Sequence, residues 1–252
     1  MCEKPLVVCL TNTVAANFTA NVLLAVGAKP AMVEEPSEAA ELAAAADAVL
    51  INVGTLTATQ SEAMRAAIHA CRRGTDPDTQ GTDPCGIRGT DPGKAGSVPW
   101  VLDPVACQAL AYRRTAVLDF LADKPTVLRG NHDEIEFLLG SVPHLLGSVP
   151  SLATGAEDII REGQSVVARV TGGVSMLQTV TATGCAQGAL CAAFLGRGQT
   201  PVAALLAASR LMKRAGEKAW ERAQTPGSFQ VALLDALGEL SETQGELSET
   251  FS

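Results

Sequence analysis

Short apolar runs alternate along this chain with longer segments rich in alanine and leucine, and this alternation restricts the possible fold more than any other feature. Runs such as "AVLINVG" (48–54) are apolar at nearly every position, which is typical of strands buried on both faces of a sheet. The alternation predicts an α/β layer fold with a largely parallel sheet. Strands are predicted at 5–10, 30–34, 48–54, 99–105 and 126–131, with weaker candidates at 152–155, 165–170 and 175–180. Helices are predicted near 14–26, 37–46, 57–72, 108–121, 183–195, 201–223 and 229–240.

Charge, cysteine usage and missing motifs exclude several classes of protein. The formal net charge is −8 and Lys and Arg form no long run, so neither a nucleic acid nor a membrane is an expected partner. The N-terminal apolar run is too short for a signal peptide, and no stretch reaches the roughly 20 apolar residues of a membrane span. Seven cysteines without CxxC spacing favour a reduced, cytoplasmic protein over a disulfide or zinc framework. The motifs of P-loop NTPases, dinucleotide dehydrogenases, zincins and α/β-hydrolases are absent.

Three short sequences are repeated, and each bears on the domain organisation. "GTDP" occurs at 74–77, 81–84 and 89–92, within a Gly-, Pro- and Asp-rich segment that predicts a disordered inserted loop at 74–97. "LGSVP" occurs at 139–143 and again at 146–150. "GELSET" occurs twice near the end, and its second copy is expected to be a frayed tail near 243–252. None of these repeats has the period of a solenoid. Residues 1–252 are expected to form a single domain.

The stretch "TATGCAQGA" (181–189) is the first candidate for chemistry. A turn that enters a helix leaves the first backbone N–H groups of that helix unpaired, and such groups bind anions with help from the helix dipole. Cys185 lies in that field, so its thiolate is expected to be stabilised. The alternative is a tight turn that leads into a helix with a small buried thiol, and spacing alone does not exclude it.

Acidic and basic side chains follow two of the predicted strands. Asp103 ends the strand in "VLDPV", where a carboxylate is well placed to hold a water molecule or Mg²⁺, although Asp before Pro is also common in plain turns. "LRGNHDEI" (128–135) places Arg129 and Glu134 just past the next strand. Beside a phosphate site, Arg129 and Glu134 would form a nucleotide clamp with a metal-bound water; otherwise Glu134 simply complements a helix dipole. In open α/β sheets, ligands bind at the carboxyl ends of strands, where these residues lie.

Several stretches, taken in order, resemble hydroxyethylthiazole kinase, a ribokinase-like enzyme of thiamine salvage. The resemblance covers most of the chain outside the repeats and depends on residues 10–42, 46–68, 99–106, 128–135, 153–163, 181–189 and 225–237. It implies a three-layer ribokinase-like fold with a mostly parallel central sheet flanked by helices. It also implies ATP- and Mg²⁺-dependent phosphorylation of the primary alcohol of the thiazole. The implied assembly is a homotrimer whose substrate pockets lie between subunits.

The resemblance also assigns roles to residues at matching positions. It implies that the thiazole is bound by Met32, Gly54, Ala182 and Asn12. It implies ATP binding by Arg129, Thr154, Thr183 and Gly184, and metal binding by Asp103 and Glu134. Cys185 would occupy the position at which related sugar kinases carry an aspartate base, and is the candidate catalytic residue.

The chain departs from the family pattern at three places, which keeps other functions open. The usual "GTGC" is "ATGC" here, so the methyl group of Ala182 is expected to narrow the site. The connection over 132–150 is shorter than usual, and the loop at 74–97 lies where the family has a short turn. The alternatives are a kinase for pyrimidine or pyridoxal alcohols and a thiazole- or nucleotide-binding protein with weakened catalysis. A dehydratase of nicotinamide hydrates on the same general fold is a further alternative, but no added dinucleotide-binding segment supports it.

Overall fold

The structure, a computed structural model, describes residues 4–73 and 97–249, with side chains described for 4–72 and 97–242. The strands are β1 Leu6–Leu10, β2 Lys29–Met32, β3 Ala48–Asn52, β4 Trp100–Asp103, β5 Val127–Asn131, β6 Pro150–Thr154, β7 Asp158–Glu162 and β8 Ser165–Val170. The helices are α1 Ala16–Ala25, α2 Pro36–Ala45, α3 Ala58–Arg73, α4 Ala111–Ala122, α5 His132–Ser141, α6 Pro143–Leu146, α7 Thr183–Gly196, α8 Pro201–Arg222 and α9 Pro226–Glu249. No described helix is both long enough and apolar enough to span a membrane.

All eight strands join one sheet in the order β2-β1-β3-β4-β5-β6-β7-β8. The pairs from β2 to β6 are parallel, whereas β7 and β8 are added antiparallel at one edge. Strand β3 is buried at every position, as its unbroken apolar sequence predicts. The predicted α/β fold with a largely parallel sheet is therefore confirmed.

Helices cover both faces of the sheet, because successive strand residues point to opposite sides. Val7, Cys9 and Leu50 belong to a core that includes α1, α7, α8 and α9. Val8 and Ile51 point to the other face, where the core includes residues of α2, α3, α4 and α5. The three layers implied by the ribokinase-like resemblance are thus observed.

The parallel arrangement brings the polar strand ends to one edge of the sheet. Asn52 pairs in register with Asp103, and Asn131 pairs with Thr154. Helix α7 packs close against β3 and β4, since a Cβ at Gly188 would lie 3.1 Å from Leu50 Cδ1 and 3.4 Å from Asp103 Oδ2. A larger residue at position 188 would push α7 away, so this glycine permits the helix and the strand ends to meet.

One local prediction was wrong, and one strand was not predicted. Residues 175–180 were predicted as a strand, but Ser175–Gln178 form a 3₁₀ helix, because Gly172 and Gly173 adopt left-handed φ angles of 96° and 80° and turn the chain out of the sheet. Strand β7 was not predicted; it pairs with β8 through a turn in which Gly163 has φ 56°. The short connection over 132–150 contains two helices, α5 and α6.

Two domain predictions concern the ends of the described ranges. The expected inserted loop at 74–97 lies outside the described residues except for Ser97. The backbone of α9 remains helical to Glu249, and residues 250–252 of the expected tail lie outside the description. The single-domain assignment for 1–252 stays a prediction.

Ala182 precedes α7 in a backbone conformation that glycine adopts freely. Its φ is 72° and its ψ 0°, the left-handed region, which costs an L-residue roughly 1–2 kcal/mol. We expect Ala182→Gly to raise the free energy of unfolding by about 1 kcal/mol, measured by denaturant unfolding. As a control, Ala207→Gly inside α8 should lower that free energy by about 1 kcal/mol. A destabilised Ala182→Gly variant would contradict this account of the turn.

Candidate active site

A chain of hydrogen bonds joins the thiol of Cys185 to the carboxylate of Asp103. The side-chain amide of Asn12 donates from Nδ2 both to Cys185 Sγ (3.2 Å) and to Asn52 Oδ1 (3.0 Å). Asn52 then donates from its own Nδ2 to Asp103 Oδ2 (2.9 Å). The ends of β1, β3 and β4 thus bring two amides and a carboxylate together with the sulfur of Cys185 at the start of α7.

Asn12 and Gly54 fit closely against each other in this network. Asn12 Oδ1 accepts a hydrogen bond from the backbone N–H of Ala15, and Asn52 Oδ1 accepts one from that of Gly54 (3.0 Å). A Cβ at Gly54 would lie 2.8 Å from Asn12 atoms, a distance that real Cβ contacts essentially never show. Glycine at position 54 therefore allows Asn12 to reach Cys185.

Asp103 and Arg129 form a buried ion pair beside the network. Arg129 Nη1 lies 3.3 Å from Asp103 Oδ2, with side-chain exposures of 7% and 0%. Burial raises the pKa of Asp103 to about 7; Arg129 opposes that rise and the charge of Glu134 adds to it. Asp103 Oδ1 is buried and has no hydrogen-bond partner in the part of the chain that the structure describes. A carboxylate in this state would gain from a cation delivered to its free oxygen.

Arg129 also connects β6 to the start of α7. Its Nη2 donates to Thr154 Oγ1 (2.8 Å), and Thr154 in turn donates to the carbonyl of Gly130. A Cβ at Gly184 would lie 3.0 Å from Arg129 Nη2, so the guanidinium lies directly against the backbone of this turn. Arg129 Nε is buried without a hydrogen-bond partner among the described residues. The predicted ATP-binding residues Arg129, Thr154 and Gly184 therefore lie together.

Helix α7 begins with unpaired backbone donors. Its first internal bond runs from Ala186 N to Ala182 O, and no described side chain caps this end. The N–H groups of Thr183, Gly184 and Cys185 precede that bond, which is the arrangement that binds phosphate oxygens at helix N-termini. The hydroxyl of Thr183 instead donates to the carbonyls of Leu177 and Val180, which fixes the preceding loop. Any contact of Thr183 with ATP would therefore come from its backbone N–H.

The thiol of Cys185 does not have the stabilised thiolate that the sequence predicted. Its pKa is raised above the usual value, first by burial and then by the charge of Asp103, while Arg129 and the amide of Asn12 act in the opposite direction. Burial and the nearby carboxylate of Asp103 raise this pKa by more than the hydrogen-bond donors expected from the sequence lower it. Cys185 is therefore a neutral thiol near pH 7.

The pH dependence of alkylation tests this state of Cys185. Because a thiolate reacts and a thiol does not, the rate of iodoacetamide modification of Cys185 should reach half its maximum at a higher pH in the folded protein than in a peptide of residues 179–194. The peptide also contains Cys191, so tandem mass spectrometry is used to assign the modification to Cys185. A midpoint below that of the peptide would contradict the assignment of a neutral thiol.

Glu134 anchors the turns around the site. It is buried, its Oε1 accepts from Ala106 N (2.7 Å) and its Oε2 from Asn131 N (2.8 Å). Asn131 accepts in return from Glu134 N, which completes a capping box at the start of α5. Glu134 thus has the helix-capping role that one reading of the sequence gave it, and its charge raises the pKa of Asp103. Its part in a nucleotide clamp with a metal-bound water stays a prediction.

The unpaired carboxylate oxygen of Asp103 suits a magnesium ion that arrives with a nucleotide. The described residues contain no group of three or more His, Cys, Asp or Glu side chains arranged to hold a metal ion. Mg²⁺ is usually bound by one or two carboxylates together with water molecules and substrate phosphates, so a dedicated cage is not required. The free Oδ1 of Asp103 meets that need, whereas Glu134 already accepts two backbone hydrogen bonds.

Met32 lies at the margin of the site. It ends the edge strand β2, pairs in register with Cys9, and is 37% exposed. Among the described residues, no hydrogen bond and no hydrophobic cluster links Met32 to the Cys185–Asp103 network. The side chain of Asn52 was not predicted, although its position at the end of an apolar strand was a signal. Gln187, Asp158 and Lys213 were not predicted either, because Gln187 and Lys213 come to contact Asp158 only when distant segments of the chain pack together.

Comparison with known proteins gives one family. The model of the hydroxyethylthiazole kinase family matches residues 2–92, 87–151 and 146–243. The segments overlap where copies of "GTDP" (89–92) and "LGSVP" (146–150) lie. The hydroxyethylthiazole kinase of Citrobacter koseri is 41% identical over 94% of this chain and 90% of its own length. That of Escherichia coli is 38% identical over 95% and 91%.

Solved structures agree with the sequence comparison. The hydroxyethylthiazole kinase of Pyrococcus horikoshii is 34% identical, with a TM-score of 0.78 over 94% of this chain and 89% of its own. The pyridoxal kinase of Staphylococcus aureus in complex with AMP-PCP has a TM-score of 0.59 over 86% and 89% of the two chains. At 15% identity, this second likeness supports the ribokinase-like fold alone.

Proposed function

Since the chain belongs to the hydroxyethylthiazole kinase family, we propose that it transfers the γ-phosphate of ATP to the primary alcohol of 4-methyl-5-(2-hydroxyethyl)thiazole in thiamine salvage. One observation carries the proposal for this chain's own residues: the Asp103–Arg129 pair, the unpaired start of α7 and Cys185 lie at one edge of the sheet. Phosphoryl transfer depends mainly on such positioning and electrostatics.

The start of α7 and Arg129 form the cradle for the transferred phosphoryl group. The N–H groups of residues 183–185 donate to its oxygens, and the helix dipole favours their negative charge. Arg129 lies against Gly184, so its guanidinium neutralises the same charge from one side. These donors are fixed before the reaction, so no reorganisation is required as charge redistributes.

Asp103, supported by Glu134, forms the acidic side of the site. Asp103 Oδ1 would hold Mg²⁺ directly or through water, and Glu134 would act through water and through the turn that it anchors. When bound there, Mg²⁺ would neutralise negative charge on the phosphates of ATP. Asn52 holds the other oxygen of Asp103, so Oδ1 keeps a fixed direction.

Cys185 receives or orients the hydroxyl group of the thiazole alcohol. Asn12 donates to its sulfur, which leaves the thiol proton free to point into the cleft. A neutral thiol keeps its own proton and cannot act as a base, so Cys185 orients the hydroxyl group, the proton of the alcohol goes to water late in the transfer, and the cradle supplies most of the rate.

Replacement of Cys185 tests this division of roles. We expect Cys185→Ala to lower kcat by roughly ten- to a hundredfold, because it removes the group next to the attacking hydroxyl. We expect Cys185→Asp to retain or raise kcat, because an aspartate accepts a proton more readily than a neutral thiol. Cys71→Ala, a buried cysteine on α3, is the control and should leave kcat unchanged. If neither substitution at 185 changes kcat, the thiol has no chemical role.

The substrate pocket is proposed to be completed by a second subunit of a homotrimer. Met32, the expected thiazole contact, is exposed on the edge strand β2, and a surface from another copy would cover it. Light scattering of the purified protein should give the mass of three chains. A monomer that phosphorylates the thiazole alcohol with full activity would contradict the shared pocket.

A panel of alcohols tests the function itself. ADP formation is measured with the thiazole alcohol, a hydroxymethylpyrimidine and pyridoxal, with and without Mg²⁺. The thiazole alcohol should give the highest kcat/KM and a phosphate ester as product, in a reaction that requires Mg²⁺. Preference for another alcohol, or binding of ligands without turnover, would overturn the proposal.

A further inference from the structure

A second buried ion pair lies outside the network that holds Cys185. Asp158 at the start of β7 and Lys213 of α8 lie 3.3 Å apart (Oδ1 to Nζ), with side-chain exposures of 4% and 7%. Removing two charges from water has a large cost that their attraction seldom exceeds by much. Neither residue reaches Cys185 or Asp103 in the hydrogen bonds of the described residues.

Asp158 accepts hydrogen bonds on both carboxylate oxygens. Oδ1 accepts from the backbone N–H of Gly155 (3.1 Å) and forms the ion pair with the ammonium of Lys213. Oδ2 accepts from Ser209 Oγ (2.7 Å) and from Gln187 Nε2 (3.2 Å). The carboxylate is thus satisfied, and each of these partners must present a donor to it.

This requirement fixes the direction of the Gln187 amide. Because an ionised Asp158 can only accept, Gln187 must turn its NH₂ toward Asp158 and its Oε1 away. Oε1 then lies 3.5 Å from Arg129 Nη2, at the limit of a hydrogen bond. In the reverse orientation, the NH₂ of Gln187 and the guanidinium of Arg129 would face each other as two donors.

Lys213 holds the β6–β7 turn and the segment that follows β8. Its ammonium donates to the carbonyls of Gly155 (3.2 Å) and Ala156 (3.1 Å) in the β6–β7 turn, and to that of Gly172 (3.1 Å) after β8. Gly155 directly follows Thr154, whose hydroxyl accepts from Arg129 Nη2. Both the Gln187 route and the Thr154 route therefore lead from the Asp158–Lys213 pair to the same guanidinium nitrogen.

We propose that Asp158 and Lys213 are positioning residues for the nucleotide: they set the orientation of Gln187 and the place of Thr154, and thereby aim Arg129 at the phosphates of ATP. This inference rests on the proposed function only in that ATP binds beside Arg129. It explains why a buried ion pair, which is costly to form, is separated from Arg129, the predicted ATP-binding residue, only by the side-chain amide of Gln187.

The test begins with Asp158→Asn, which permits Gln187 to reverse its amide. The Kd for ATP, measured by calorimetry, and the KM for ATP should both rise about tenfold, the loss of one hydrogen bond to a charged group. The KM for the thiazole alcohol should stay constant. The control is Glu157→Gln, the adjacent residue, whose ion pair with Arg169 is solvent-exposed and whose loss should change neither constant.

A charge exchange distinguishes positioning from a general loss of structure. In Asp158→Asn/Gln187→Glu, the amide of the new Asn donates to the new Glu, and the Glu carboxylate accepts from Arg129, so the Kd for ATP should return to within about threefold of the wild type. A double variant no better than Asp158→Asn would overturn the proposal. If Asp158→Asn does not fold, Gln187→Met must itself raise the Kd for ATP, and an unchanged Kd would overturn the proposal.

Different results would contradict the proposed function and the positioning role of Asp158. A wild-type protein that binds ATP but does not phosphorylate the thiazole alcohol would refute the proposed function, while the Kd measurements would still decide the role of Asp158. A wild-type protein that is active, with Asp158→Asn showing an unchanged Kd and KM for ATP, would refute the positioning role alone.

Discussion

Asp103→Asn is expected to lower kcat for the thiazole alcohol by about a thousandfold, the largest effect of any single substitution predicted for this chain. The amide keeps an oxygen for Asn52 and Arg129 at the same place, so the fold should survive. What is lost is the negative charge on Oδ1, the unpaired buried oxygen to which a magnesium ion would be drawn. Steady-state kinetics at saturating ATP and Mg²⁺ measure the effect.

Asp119→Asn is the matched control for this substitution. Asp119 also pairs with an arginine, Arg65, at 2.7 Å, but both side chains are about half exposed. Exposed pairs contribute little, so this variant should keep the wild-type kcat. Asp103→Asn should have a lower melting temperature than the wild-type protein, because Arg129 loses its buried counter-charge. The assay is therefore run below both melting temperatures. A folded Asp103→Asn variant with wild-type kcat would remove Asp103 from the mechanism.

Arg129→Met is expected to raise the KM for ATP by about a hundredfold, which is in the range for the loss of one partner of a buried, hydrogen-bonded charge pair. Methionine retains much of the length and apolar volume of arginine but offers no donor to the phosphates. The KM for the thiazole alcohol should change much less, because Arg129 contacts Thr154 and Gly184 on the nucleotide side.

Arg65→Met, in the exposed pair, is the control for the loss of an arginine and should leave both KM values unchanged. Since Arg129→Met leaves Asp103 buried without its partner, circular dichroism must first establish that the variant is folded. Equal increases in KM for ATP and for the alcohol would place Arg129 in general support of the site and contradict a specific contact with ATP.

The sequence predicted the central strands well because burial on both faces leaves an unbroken apolar run. β3, β4 and β5 lie within the predicted ranges, and their polar ends meet as expected of parallel strands. Of the two antiparallel strands, β8 was predicted at 165–170, where it lies, whereas β7 was missed because Asp158, Arg161 and Glu162 interrupt its apolar sequence. The 3₁₀ helix at Ser175–Gln178 was mistaken for a strand because local apolar content does not reveal the two left-handed glycines before it.

The proximity of the candidate site residues was predictable where they occupy strand ends or the start of α7. Asp103, Arg129 and the turn at 182–185 lie together as that logic predicts, and their roles stay predictions. Gln187, Asp158 and Lys213 come together only when α7, α8 and β7 pack against one another. The raised pKa of Cys185 could not be predicted either. It depends on how deeply the thiol is buried and how close Asp103 lies, and neither is encoded in local sequence.

The central claim is that the N–H groups at the start of α7, with Arg129 and Asp103, receive the transferred phosphoryl group. The most direct measurement is a crystal structure of the protein with Mg²⁺, the thiazole alcohol and an ATP analogue whose β,γ-bridge is carbon. The account predicts γ-phosphate oxygens within hydrogen-bond distance of the backbone nitrogens of residues 183–185, with Mg²⁺ on the side of Asp103. A γ-phosphate bound elsewhere, with the start of α7 facing only protein atoms, would contradict it.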